Sequence, residues 1–104
     1  MGPMVTCYLR YVIDPYKVAE FEQYCRLVIR AIEAHGGTHH GSFLPHEGPN
    51  NIAVTLFSFP SLAEYERYRT AVRDDEHARE AWRLAEESRC IVSFERSFMR
   101  PLLP

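Results

Sequence analysis

The chain has 104 residues, 46% hydrophobic and 25% charged, a composition that excludes a disordered segment and suits one folded domain. Its formal net charge of -2 supplies no broad basic field, so neither nucleic acid nor a membrane surface is expected as a partner. No apolar run approaches the ~20 residues of a membrane span, and the opening MGPMV is too short and too poorly charged for a signal peptide, so a cytoplasmic protein is expected.

Residues 4–101 are expected to form the domain, with Met1-Gly2-Pro3 read as a tag remnant ahead of a natural start at Met4. Lys17 is the single lysine among 12 basic residues, a bias read first as genome composition and only faintly as a preference for carboxylate or phosphate partners. Cys7, Cys25 and Cys90 are odd in number and widely spaced, which points to buried free thiols and a reducing compartment.

Met4 to Ile13 alternates as a strand, with Val5, Cys7, Leu9, Tyr11 and Ile13 on one face and Thr6, Tyr8, Arg10 and Val12 on the other. Asp14 is the expected N-cap of a helix whose first position is Pro15. Val18, Phe21, Cys25, Val28 and Ile32 recur at helical spacing, opposite Glu22, Arg26, Arg30 and Glu33. Gly36-Gly37 ends that helix, because glycine takes the left-handed conformation at little cost.

Thr38 to Pro45 is a weaker strand in which Gly41 predicts a bulge or a close approach. A loop over 46–51 follows, and then Ile52 to Phe59, the strongest strand, apolar on both faces. Ser61 and Glu64 have the spacing of a capping box, ahead of an inner face of Leu62, Tyr65, Tyr68/Arg69 and Val72. Asp74-Asp75 restarts a short helix with Ala78, Ala81, Trp82 and Ala85 inward. Cys90 to Met99 is the last strand, ended by Arg100-Pro101.

Strand-helix-strand, twice, is the ferredoxin-like βαββαβ pattern, an α+β fold with a four-stranded antiparallel sheet and both helices on one face. Right-handed crossovers are expected to set strands one and three side by side and parallel. Strands one and four should be antiparallel neighbours, which would let Arg10 face Glu95. The face without helices is not polar: Tyr8, Val12, Leu44, Phe57, Phe59 and Ile91 are the candidates for it. A homodimer formed sheet face to sheet face, a dimeric α/β barrel, would cover that surface.

The runs GPNNIAVTLFSFPSLAEYERYR (Gly48–Arg69), YLRYVIDPYK (Tyr8–Lys17) and RCIVSFERSFMRP (Arg89–Pro101) resemble the NIPSNAP family, over nearly the whole chain. That family belongs to the dimeric α/β-barrel superfamily, and its molecular activity is largely undefined. The mitochondrial association of animal members is not carried over, because no Arg- and Ser-rich leader stands here. Superfamily relatives include cofactor-free monooxygenases of aromatic polyketides, haem-degrading monooxygenases and lactone isomerases, which use a cavity between sheet and helices. The resemblance therefore implies a cavity; no catalytic motif matches residue by residue.

Candidate residues each carry two readings. His39-His40, with His46 nearby, offer a metal or haem ligand or a general base. Adjacent strand residues point to opposite faces, so the pair cannot readily share a metal; one of them could line a pocket, or both could be solvated on an edge strand. Tyr65, Tyr68 and Arg69 could orient a carbonyl or carboxylate; the plainer reading is tyrosine packing with Arg69 paired at the surface. Arg10, Glu95 and Arg96 are charges inside strands, and Glu95 is the best-placed acid if one is needed. Trp82 near a substrate is what the superfamily resemblance implies, since its cofactor-free oxygenases can use a tryptophan there, and Trp82 filling the space left by alanines is the plainer reading.

No glycine-rich phosphate loop, nucleophile elbow or activated thiol is evident. Neither a cofactor nor a metal is expected. Tyr8, His39, His40, Tyr65, Arg69 and Trp82 are the candidate ligand contacts, for a small apolar or aromatic molecule. The alternatives are a cofactor-independent monooxygenase or isomerase with a His39 or His40 base, and an interaction module that acts only through dimerisation.

Overall fold

The computed structural model describes residues 4–102; the proposed tag remnant lies outside them. The elements are β1 (Val5–Ile13), α1 (Val18–Ala34), β2 (Thr38–Phe43), β3 (Ile52–Phe59), α2 (Leu62–Ala71), a 3-10 turn (Val72–Asp74), α3 (Glu76–Ser88) and β4 (Ile91–Met99). They make one four-stranded sheet of order β2-β3-β1-β4, with every neighbouring pair antiparallel. The ferredoxin-like α+β fold is the one the element pattern implies.

β1 and β3 are adjacent but antiparallel, which corrects the parallel pairing. The crossover through α1 makes β1 parallel to β2, and β3 then turns back by a hairpin into the gap between them. Arg10 does face Glu95 across β1 and β4. At Gly41 the register with β3 shifts, so the bulge falls where glycine marks it. A Cβ on Gly41 would sit 2.8 Å from the Phe43 ring.

Local chemistry moves several boundaries. Asp14 does not cap α1: its carboxylate accepts from the Tyr16 N–H at 2.9 Å in a tight turn, and the helix begins three residues beyond Pro15. At the other end Gly36 takes φ +90, while the Gly37 and Gly36 N–H groups donate to the carbonyls of Ile32 and Glu33, a Schellman stop. Ser61 caps α2 through the Glu64 N–H at 3.2 Å, but the Glu64 carboxylate pairs with Arg67, so the box is only half formed. Asp75 alone caps α3, which at 13 residues is longer than α2 rather than short. The Lys17 ammonium donates to the Ser88 carbonyl at the end of α3. β2 stops at Phe43 and β4 starts at Ile91, inside the expected limits.

The core lies between sheet and helices, around Leu9, Tyr11, Ile13, Phe21, Ile32, Phe57, Phe59 and Tyr65. The three cysteines are free and buried against it. Phe57, Phe59, Leu44 and Ile91 belong to this side, which removes them from the candidates for the bare face. Leu62 is 53% exposed and not on the inner face of α2. On the open face Tyr8 lies beside Leu56, Arg10 beside Val54, and Val12 beside Ile52. Phe43 continues this strip across β2, while Ser93, Glu95 and Ser97 make the β4 side polar.

Candidate functional site

α1 packs against α3 and β2, and α2 packs against β3. β4 is one of the two edge strands, and its helix-side residues stay partly uncovered: Phe94 is 52% and Phe98 42% exposed. The uncovered ground beside β1 and β4 is a cavity of about 300 Å³. Leu9, Tyr11 and Phe57 make its floor, and Tyr24, Val28 and Ala31 of α1 its far wall. Tyr65, Tyr68, Arg69 and Val72 close it from α2 and the turn after it, and Ala78 and Trp82 from α3. Ile91, Phe94 and Arg96 form the rim on β4.

Seven of the fifteen lining residues are aromatic, and they pack on rings behind the cavity: Phe59 and Tyr68 centroids are 4.9 Å apart, Tyr65 and Phe98 4.8 Å, and Tyr11 and Phe21 5.0 Å. Arg69 donates to the Tyr65 hydroxyl at 3.0 Å, rather than pairing at the surface as the plainer sequence reading has it. The guanidinium of Arg96 stands 5.4 Å from the Phe94 ring centre. Burial pushes the hydroxyls of Tyr11, Tyr24 and Tyr68 above the ordinary tyrosine value. At neutral pH these groups therefore stay protonated, as hydrogen-bonding partners rather than bases.

Three of the six candidate contacts line this cavity: Tyr65, Arg69 and Trp82. Trp82 is 44% exposed, so it is a wall of the space and not a plug in the core. Tyr8 lies on the opposite face of the sheet. His39 and His40 are both at the bulge, away from the cavity. His39 Nε2 lies 3.0 Å from Ser42 Oγ, which in turn lies 3.0 Å from Thr55 Oγ1; His40 Nε2 lies 2.6 Å from Ser58 Oγ. Burial, opposed by Glu33, lowers the His39 pKa. Glu95, in register with Arg10 on the open face, is on the wrong side of the sheet to act in the cavity. Among the described residues no three His, Cys, Asp or Glu side chains converge to hold a metal ion.

Tyr11, Tyr24, Phe94 and Arg96 are cavity residues that the sequence reading did not choose. The usable signal was Arg96 itself: it alternates with Phe94 and Phe98, so it is a cation on the aromatic, helix-facing side of a strand.

Fold and site together define a ferredoxin-like α+β protein with an aromatic-walled cavity under its helices. The chain belongs to the NIPSNAP family, whose model matches residues 8–103. It is similar in structure to a NIPSNAP-like domain protein from Burkholderia xenovorans (TM-score 0.79, 21% identity, covering 98% of this chain and 88% of that one). A NIPSNAP family protein of unknown function from Agrobacterium tumefaciens is similar too (TM-score 0.79, 20% identity, 95% and 88% covered). A third likeness is a candidate antibiotic biosynthesis monooxygenase from Caulobacter crescentus (TM-score 0.72, 11% identity, 97% and 92% covered). At these identities the likenesses establish the fold alone. No curated protein sequence matches the chain. Among the described residues no helix is long and apolar enough to cross a membrane.

Proposed function

We propose that this protein binds a small apolar or aromatic molecule in the cavity between sheet and helices, as a homodimer in the cytoplasm. The observation that carries the reading is the cavity: about 300 Å³, aromatic-walled and edged with a few polar groups, the usual make-up of a small-molecule site. A monooxygenase or isomerase using a His39 or His40 base loses support, because both side chains are engaged at the β2 bulge. Three buried free thiols favour a reducing compartment.

Calorimetric titration with 2-naphthamide, a neutral aromatic carbonyl compound that fits the volume, tests the site. One saturable event per chain is expected, and Ala78→Phe, which fills the cavity from α3, should weaken it at least about tenfold at a stability cost of about 1–3 kcal/mol. Equal binding by the folded variant would put the ligand elsewhere.

Dimerisation follows from the open face, where Tyr8, Val12, Val54, Leu56 and the 57%-exposed Phe43 form a strip too apolar to leave in water. Native mass spectrometry should give a dimer, and Val54→Glu, which puts a charge mid-strip, a folded monomer. A dimer unchanged by that substitution would place the interface on another surface.

A further inference from the structure

The cavity has a one-sided electrostatic character. Arg69 and Arg96 both line it, and no Asp or Glu does. Among the described residues Arg26, Arg67, Arg83 and Arg89 each meet a glutamate. Arg69 and Arg96 have no carboxylate within 4.0 Å among those same residues.

The two cations come from different elements, α2 and β4, and both line the cavity. Arg69 is placed by its bond to the Tyr65 hydroxyl, which occupies Nη1 and leaves the other N–H groups free. Arg96 is placed over the Phe94 ring, a stacking contact that leaves the planar edge of the guanidinium open to hydrogen bonding. Burial pushes the Cys7 thiol up to about 11, and the positive charges of Arg96 and Arg69 oppose that rise. Two guanidinium forks at the edge of an aromatic chamber match a planar anion joined to an apolar body.

We infer that the ligand of this cavity is an aromatic or apolar carboxylate, its carboxylate held by Arg69 and Arg96 and its hydrocarbon part lying among Tyr11, Phe57, Tyr68 and Trp82. The inference rests on the proposed binding function and narrows it to one ligand class. An acyl chain or an aromatic ring can supply the apolar part; the carboxylate is the shared feature that the arginines select.

The test compares 2-naphthoate, ionised at pH 7, with the isosteric, neutral 2-naphthamide by calorimetry. The carboxylate should bind at least about tenfold tighter. The Arg69→Gln/Arg96→Gln double variant should erase that advantage, bringing the affinity for the carboxylate down to that for the amide. Both side chains are exposed, so the substitution does not threaten the fold, and circular dichroism checks this. Raising the salt concentration should shrink the advantage, because partly solvated cations are screened. Equal affinity for the two probes, or an advantage that survives in the double variant, overturns the carboxylate inference and leaves the cavity as a neutral site. A double variant that keeps the advantage but turns monomeric assigns the arginines to the dimer, which also overturns it. If neither probe binds, the proposed binding function fails together with the inference.

Discussion

Replacing Phe59 by alanine is expected to cost about 3–5 kcal/mol, the range for removing a large aromatic side chain from a closed core. Phe59 is 2% exposed and packs on Phe57, Tyr65 and Tyr68. It also fills the space above Gly37, where an added Cβ would fall 2.8 Å from its ring. A domain of this size has about 5–15 kcal/mol of stability in all, so Phe59→Ala would leave a marginal fold. The melting temperature should fall by more than about 12 °C. Leu62→Ala is the control: Leu62 is 53% exposed, and its loss should change stability by no more than about 0.5 kcal/mol. Urea denaturation measures both. A loss below about 1 kcal/mol for Phe59→Ala would mean that the cavity side of the core collapses into the vacancy, and that the walls are less rigid than a preformed site needs.

Such core positions were legible because periodicity reports burial. The alternation of Cys7, Leu9, Tyr11 and Ile13 puts them inward, and all four are buried. Phe57 and Phe59 were harder. β3 is apolar on both faces, with Ile52, Val54 and Leu56 on one and Ala53, Phe57 and Phe59 on the other, so pattern alone could not say which face the helices cover. The helix start at Asp14 failed for a local reason: aspartate before proline suits a tight turn as well as an N-cap, and the turn won. The cavity was legible only through family resemblance. It exists because α1 and α3 pack on one another while the helix side of β4 stays partly bare, a matter of tertiary placement that no short-range pattern encodes. Arg69 entered the candidate set as a helical neighbour of Tyr65 and Tyr68, and Trp82 through the family resemblance, while the sheet supplied Tyr11, Phe94 and Arg96 from strands far away along the chain. His39 and His40 stood out as an adjacent pair, but the bulge turns each to a hydroxyl of its own.

Asp75 connects two helices through a single carboxylate, and Asp75→Ala is expected to cost about 2–3 kcal/mol. One oxygen accepts from the Ala78 N–H at 2.9 Å and caps α3; the other lies 3.1 Å from His35 Nε2, at the C-terminal end of α1. His77 Nδ1 stands 3.9 Å from the capping oxygen. Burial alone would raise the Asp75 carboxyl, but hydrogen bonds from the Ala78 N–H, from His35 and from the His77 N–H outweigh it and hold the group below the ordinary carboxylate value. The sign of the pH dependence follows. A carboxyl whose pKa is depressed by folding stabilises the native state fully above its unfolded value and gives that stability up as the pH falls through the folded one. The wild-type protein should therefore lose stability in acid more steeply than Asp75→Asn, which keeps a capping oxygen but has no charge to lose. Near pH 7 Asp75→Asn should retain most of the cap, with Asp75→Ala the weaker of the two. Melting curves of the three proteins from pH 7 down to pH 3 decide it. Parallel acid limbs would show that the carboxylate acts only as a cap, and that the contact with His35 adds nothing to the docking of α3 on α1.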